Sequence, residues 1–374
     1  MIITHSTDHA PILSNTGAVG EFTIRSSPKA FSILSSGLYK NKIRAIIREL
    51  ACNAVDSHKA AGTTDTPFDV HFPTTLEPWF SIRDYGVGLN DTEVKNVYTV
   101  YFSSTKTASN DYIGALGLGS KSPFSYTDNF TVTAIKDGVK RVYGAFVNEQ
   151  GVPSVALMYE GSTDLGPGVE VKFNVSKSAD YDSFAREAQV LKWFKTPVNL
   201  LNYNAARYGE ITYPECIEHD LTPCVHLANL SRSYAIMGNI AYPLDNIPST
   251  EQLGDHVYLL ESSLVIEFDI GELDFVASRE ELSFIPQTYA AIRRRLDDLA
   301  VRLTDLATGK LSSITCKWLQ ADTAVKLPRI YRKSLLTVVP ALCNPFLEVR
   351  YGDIRKAGVS ITEDSLKCKN FAIS

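Results

Sequence analysis

Between Asn41 and Ala61 the apolar residues Ile43, Ile46, Ile47, Leu50 and Ala54 recur at three- and four-residue spacing, and Gly62 stands where a helix stop belongs. A helix with one apolar face has to bury it, and the sequence that follows supplies strands. The short runs FDVHF (Phe68 to Phe72) and WFSIR (Trp79 to Arg83) are each bounded by Pro, Thr or Asp turn residues. After a Gly- and Ser-rich stretch from Tyr101 to Tyr126 come NFTVTAI (Asn129 to Ile135), KRVYGAFV (Lys140 to Val147) and GVEVKFNV (Gly168 to Val175). Lys136-Asp137-Gly138 joins the first two as a hairpin turn. This order predicts an α+β domain, helix first and sheet after, ending near Val175.

At 374 residues the chain exceeds one core of the usual size. A helix over Ser183 to Phe194 is expected to bridge to a second mixed domain with strands near Ser263 to Ile270 and Asp274 to Ala277. A long helix from Gln287 to Thr308 closes it, carrying Ile292, Leu296, Leu299, Leu303 and Leu306 on one face. The expected boundaries are 1–178 for the first domain with its N-terminal arm, 179–310 for the second, and 311–374 for an extension whose fold the pattern does not give.

Hydrophobic residues at 44% and charged residues at 21% describe a globular chain rather than a disordered one. Lys plus Arg number 37 against 42 Asp plus Glu, so the formal charge of −5 gives no reason to expect a nucleic-acid partner. The six cysteines are irregularly spaced, and the N-terminus MIITHSTDHAPILSN lacks a basic stretch followed by an apolar run. No stretch approaches the roughly 18 apolar residues of a membrane span. The expectation is a reducing, cytoplasmic setting, with any membrane association peripheral.

Three pieces carry chemistry. On the first helix Glu49, Asn53 and Asp56 stand four and three residues apart, so at about 100° per residue they form one polar stripe beside the apolar face. Alone, that is also what a solvated helix face looks like. Asp84-Tyr85-Gly86-Val87-Gly88 directly follows WFSIR. Asp84 offers an acceptor to an amino group, and Gly86 and Gly88 let backbone approach a ligand, although an ordinary Asp-Gly turn reads the same way. The run Gly114-Ala115-Leu116-Gly117-Leu118-Gly119-Ser120-Lys121-Ser122 is either an anion nest of exposed amides or a flexible glycine loop. Ser120 separates Gly119 from Lys121 and Ser122 holds the last glycine position, so it is neither a P-loop nor a dinucleotide fingerprint. Upstream, Ser103-Ser104-Thr105-Lys106 adds hydroxyls and a cation to a segment suited to a mobile lid.

A helix with Glu-x-x-x-Asn-x-x-Asp, a strand with Asp-x-Gly-x-Gly and then a glycine lid, in that order from Asn41 to about Val175, closely resembles the gyrase/chaperone/histidine-kinase/MutL (GHKL) ATPase family. Within it, RELACNAVDSH, RDYGVGL, YFSSTK, GALGLGSKSPFSYTDNFTV and the distant VASREELSF resemble phage rIIA-type proteins. The resemblance implies a Bergerat-type ATPase domain, with helices on one face of a mixed sheet, followed by a smaller α/β transducer-like domain. It implies ATP and Mg2+ as ligands. Glu49 resembles the general base that polarises the attacking water, Asn53 the link between magnesium and the phosphates, and Asp84 the acceptor for the adenine amino group. Asp56 would border the pocket, and Gly86 and Gly88 would lie beside the adenine. Gly114, Gly117, Gly119 and Ser120 would offer amides to the phosphates, with Lys106 and Lys121 adding charge. Arg279 is the candidate for the basic residue that reaches the terminal phosphate from the second domain, although a surface arginine paired with Glu280 or Glu281 reads equally well.

One departure stands out. The family usually has a Gly-Thr pair on a late strand whose hydroxyl supports the adenine-binding Asp, and here the stretch is Gly168-Val169-Glu170-Val171. Valine cannot donate that bond, so adenine selectivity is weaker than in relatives, or a water, Thr131 or Thr133 substitutes. Two other clusters are set aside: Cys216, His219, Cys224 and His226 lack a familiar zinc spacing, and Arg293-Arg294-Arg295 with Asp297 and Asp298 reads as a solvated helix face.

The sequence thus predicts an ATP-binding, slowly ATP-hydrolysing protein whose nucleotide state closes the lid, docks the second domain and promotes homodimerisation through the N-terminal arm, with a host or phage protein as a further partner. One alternative is a non-catalytic nucleotide-sensing module that binds a host protein or a membrane surface, against which Glu49 argues. Another is a DNA-manipulating ATPase akin to gyrase or MutL, against which the acidic balance argues.

Overall fold

The computed structural model describes residues 27–35, 37–100, 117–222 and 225–315, together with Thr323, Ile330 and Tyr331. The described residues group into two compact units. The first comprises those up to Pro214 with Ile236–Tyr242 and Phe268–Ser283, and the second comprises 215–235, 243–267 and those from Phe284 onward.

The first unit is an α+β arrangement on a seven-stranded mixed sheet. Its strands are β1 (Phe68–His71), β2 (Trp79–Arg83), β3 (Asn129–Lys136), β4 (Val139–Val147), β5 (Pro153–Ser162), β6 (Gly168–Asn174) and β7 (Val198–Leu201), in the order β5-β4-β3-β6-β2-β1-β7. The pairings are antiparallel except β1 with β7 at one edge. Its helices are α1 (Pro28–Ser35), α2 (Lys42–Ala61), the three-residue α3 (Asp91–Glu93) running into a π turn (Val94–Tyr98), α4 (Ala179–Glu187) and α5 (Ala205–Tyr208).

The expected first helix is α2. The Asn41 side chain accepts from the Arg44 N–H at 3.1 Å, and Gly62 ends the helix at φ 71°. Packed against β2, β6, α4 and two 3-10 turns (Gly119–Ser125 and Ala188–Trp193), its middle is buried nearly all round, Ala45, Ile46, Ile47 and Ala51 completely. Under it, Phe80 of β2 faces Phe173 of β6 in register, and Phe184 of α4 closes on both with ring centroids 4.8 and 6.0 Å away.

WFSIR forms β2 over its full length, and the Asp137–Gly138 turn joins β3 to β4. β5 was not expected. It is an edge strand whose Leu157, Met158 and Tyr159 are 44, 64 and 52% exposed, so it carries no alternation to read. The helix expected over Ser183 to Phe194 starts earlier, at Ala179, and its second half tightens to a 3-10 turn. The strand expected near Asp274 to Ala277 reduces to one isolated bridge, Phe275 to Leu282.

Further along the chain come β8 (Cys216–Thr222), β9 (Val225–Ala228), β10 (Tyr234–Met237), β11 (Ile240–Pro243) and β12 (Leu264–Phe268), a second sheet in the order β11-β10-β12-β9-β8. The second unit is anchored by α6 (Pro286–Ser312), which begins on a proline, a residue suited to the first turn. Ile292, Leu296, Leu299 and Leu303 are fully buried as expected, while Ala307 rather than Leu306 continues that face. Arg293 pairs along the helix with Asp297, which also accepts from His256 at 2.8 Å. Among the described residues no helix is long and apolar enough to cross a membrane.

Three backbones meet where β2 ends. A Cβ on Gly88 (φ 64°) would lie 1.8 Å from Ile135 O, and one on Gly168 would lie 2.1 Å from Asp84 O. Gly88→Ala is therefore expected to cost about 3 kcal/mol or more, strain plus backbone collision, in urea unfolding. Gly62→Ala, with φ 71° and nothing within 4 Å, should cost only about 1 kcal/mol.

Candidate functional site

Glu49 and Asp56 are 4% and 1% exposed and Asn53 is half-buried, so their stripe on α2 is not a solvated face. The glycine loop ends on this stripe. A Cβ on Gly119 would stand 3.0 Å from Glu49 Oε2 and 3.6 Å from Asn53 Nδ2. One turn further along α2, Ser57 Oγ donates to Asp84 Oδ1 at 3.0 Å. Residues 49, 53 and 57 thus join all three motif segments along one helix.

At the Glu49 end the electrostatics are those of a buried ion cluster. Arg48 donates from Nε and Nη2 to Glu49 Oε1 at 3.0 and 2.9 Å, and Arg279 Nη1 donates to Oε2 at 3.0 Å. Arg48 also donates to Arg279 O and Ser278 O at 3.0 and 2.7 Å, holding the backbone on which Arg279 sits. Burial by itself would raise the Glu49 carboxyl, but Arg279 and then Arg48 overcome it and hold it below the ordinary glutamate range. Burial opposes the Arg279 cation, and Glu49 more than offsets that. Arg279 adopts φ 57°, a left-handed conformation costing a non-glycine residue about 1–3 kcal/mol.

The reading of Arg279 as a surface residue paired with Glu280 or Glu281 does not hold. Arg279 is 7% exposed, Glu280 accepts from the Lys40 and Asn41 N–H groups, and Glu281 pairs with Lys40 Nζ. As placed, both Glu49 oxygens are occupied by guanidinium donors, and a carboxylate so held is a weak proton acceptor.

At the other end, burial raises the Asp84 carboxyl above its ordinary range, against the Gly86 N–H and Ser57 hydroxyl that donate to Oδ1 at 3.0 Å each. His58, fully buried, ties the segment to α2. Its Nε2 accepts from the Tyr85 N–H at 2.8 Å, which assigns the ring proton to Nδ1, 3.0 Å from Thr66 O. Among the described residues the buried Tyr98 hydroxyl has no hydrogen-bond partner, and burial followed by the Asp84 charge pushes its pKa up. Gly86 and Gly88 are required first by protein packing: a Cβ on Gly86 would lie 2.2 Å from Ser57 Oγ. Val169 O accepts from the Asp84 N–H at 2.9 Å. Thr131 does not substitute for the missing threonine, because its hydroxyl donates to Lys172 O; Ser57 supplies the hydroxyl instead.

Ser120 Oγ donates to Tyr98 O at 3.0 Å. Lys121 is buried, its ammonium donating to Val100 O and Gly117 O at 2.8 and 2.9 Å, and burial pushes its pKa down to about 7. It therefore turns toward backbone carbonyls. Lys106, Gly114, the lid hydroxyls, residues 1–26 of the N-terminal arm and Cys224 lie outside the described residues. Among the described residues no group of three His, Cys, Asp or Glu side chains could hold a metal. Asn53 offers one protein oxygen, which suits magnesium bound chiefly through phosphates and water. For a purine, the fit rests on the buried Tyr98 hydroxyl, unpartnered among the described residues and within the electrostatic influence of Asp84.

Arg48, Ser57, His58 and Tyr98 were not singled out from the sequence. Ser57 carried a signal, since it continues the four-residue spacing of Glu49 and Asn53.

The chain is similar to a chaperone. It matches the chaperone protein HtpG of Rickettsia akari (strain Hartford) at 28% identity over 174 residues, 41% of this chain and 27% of HtpG. It thus spans about a quarter of that relative's length. No protein-family model matches. The likeness is compatible with the GHKL fold to which the motifs point.

Glu49→Gln keeps the shape and removes the charge between two buried guanidiniums, so it is expected to destabilise the protein by about 3–5 kcal/mol in chemical unfolding at neutral pH. The sign with pH follows from the depressed carboxyl: its stabilisation is present above the ordinary glutamate range and lost as pH falls through the lower folded value. The gap between parent and variant should narrow in acid.

Proposed function

We propose that the first unit binds ATP and hydrolyses it slowly. Asp84 reads the adenine amino group, Asn53 holds magnesium to the phosphates, and Glu49 acts as general base. The observation that carries this reading is that one helix brings Glu49 and Asn53 against Gly119 and Ser57 against Asp84. Magnesium would neutralise phosphate charge. Gly119 presents backbone beside Glu49 and Asn53 without a side chain to obstruct phosphates. Glu49 polarises the attacking water after Arg279 leaves its Oε2, and the Arg279 charge then belongs at the terminal phosphate.

The same resemblance supports a nucleotide-driven homodimer through the N-terminal arm, coupling to a smaller transducer-like second domain near 179–310, a host or phage protein partner, a phage rIIA-type origin and a cytoplasmic setting, peripheral to the membrane where it meets one. A second reading, a nucleotide sensor without significant turnover, is favoured by the occupation of both Glu49 oxygens by arginine.

Calorimetry should detect Mg2+–ATP binding by the parent protein and little by Asp84→Asn, in which an amide turned to keep Ser57 and Gly86 presents a donor to the adenine amino group. Because burial opposes the Asp84 charge, Asp84→Asn should melt at the same or a higher temperature at pH 7, as expected where stability is given up for function. Glu49→Gln, measured at a temperature where it is folded, should retain ATP and lose about 10²- to 10⁴-fold in turnover. Equal turnover by parent and Glu49→Gln would leave the sensor reading. No binding by the parent at millimolar ATP would remove both.

A further inference from the structure

We propose that Ser57 is the residue that orients Asp84 for purine selection, supplying from α2 the hydroxyl that Val169 cannot supply from β6. This rests on the nucleotide-binding reading above. Asp84 Oδ1 takes two donors, Ser57 Oγ and the Gly86 N–H, each at 3.0 Å. With Oδ1 so committed, the carboxyl plane is set and Oδ2 is left as the acceptor for an incoming amino group. A six-amino purine meets that acceptor with a donor, whereas a six-oxo purine presents an acceptor to it and is rejected.

Ser57 cannot drift from this position. A Cβ on Gly86 would lie 2.2 Å from Ser57 Oγ and 2.4 Å from its carbonyl carbon, so the turn after β2 is pressed onto this residue. The alternative source of a hydroxyl is identifiable from the register. Arg83 faces Glu170 across the β2–β6 pair, and Asp84 N–H donates to Val169 O, so the next facing pair is Asp84 and Val169. Facing residues in an antiparallel pair have Cβ atoms about 4.5–5.5 Å apart, within reach of a threonine hydroxyl. Val169→Thr should therefore replace what Ser57→Ala removes, which a merely structural serine would not allow.

The test uses the full chain as parent, Ser57→Ala, Val169→Thr and the double variant, with Mg2+–ATP and Mg2+–GTP titrated by calorimetry. Ser57→Ala is expected to weaken ATP about 10-fold, the size of one hydrogen bond to a charged group, and to narrow the ATP-to-GTP preference. Val169→Thr alone should change little, and the double variant should return to within about threefold of the parent. Affinity should also fall with acidification as Asp84 takes up a proton, at a higher pH in Ser57→Ala and nearer the parent value in the double variant. The titratable groups around Asp84 are His58 of α2 and Tyr98 of the π turn, both unchanged across the series. Unchanged ATP affinity in Ser57→Ala, or an equal loss for ATP and GTP with an unmoved pH midpoint, overturns the role of Ser57 and leaves the nucleotide site standing. A parent that binds neither nucleotide overturns both.

Discussion

A carboxylate taken out of water is held ionised most firmly by counter-charges within hydrogen-bond reach, and in this protein Glu49 obtains two. Arg48 comes from the adjacent position on α2, and Arg279 comes from 230 residues further along the chain. Arg48 does more than neutralise, because its remaining donors hold Ser278 O and Arg279 O. The left-handed backbone at Arg279 is thereby over-determined, and residues 268–283 group with the first unit although the chain has left it in between. Removing the Glu49 charge would leave two guanidiniums facing each other in a buried space.

The other end of the helix follows the opposite rule. Among the described residues Asp84 has no cation in hydrogen-bond contact, only neutral donors, and burial wins. One polar stripe thus borders a carboxyl pushed down and another pushed up. Carboxyls separated in this way are suited to different tasks. Asp84 is poised to accept a hydrogen bond from a neutral donor, while Glu49 is held charged by partners that can exchange for others.

The helix, its stop and five of the strands were legible: α2 repeats at three and four, and β1, β2, β3, β4 and β6 are short strand-forming runs, most of them set off by turn residues. β5 and β7 were not, because both are edge strands in which no position is fully buried. The stripe of Glu49 and Asn53 and the Asp84 turn could be read as spacing. Their burial could not, since it comes from Gly119, Ser278 and Arg279, which no local window contains. Ser57 and His58 were missed for a related reason. A serine or histidine near a helix end looks like solvent-facing filler until the turn after β2 lands on it. Lys121 was expected to add charge beside the phosphates, because sequence shows a lysine's type and not the two carbonyls its ammonium meets.

The placement of Arg279 decides how the two ends could act together. Its Nη1 satisfies Glu49 Oε2, and Gly119 stands where any side chain would press on that same oxygen. A polyanion arriving beside Gly119 and Asn53 would compete with Glu49 for the guanidinium, and a phosphate is the stronger partner because it carries more charge. Transfer of Arg279 would free Oε2 while Arg48 keeps Oε1, leaving the carboxylate half-released and its proton affinity raised toward the ordinary range. On the proposed reading, Glu49 would become competent as a base when the anion arrives and would stay capped in its absence.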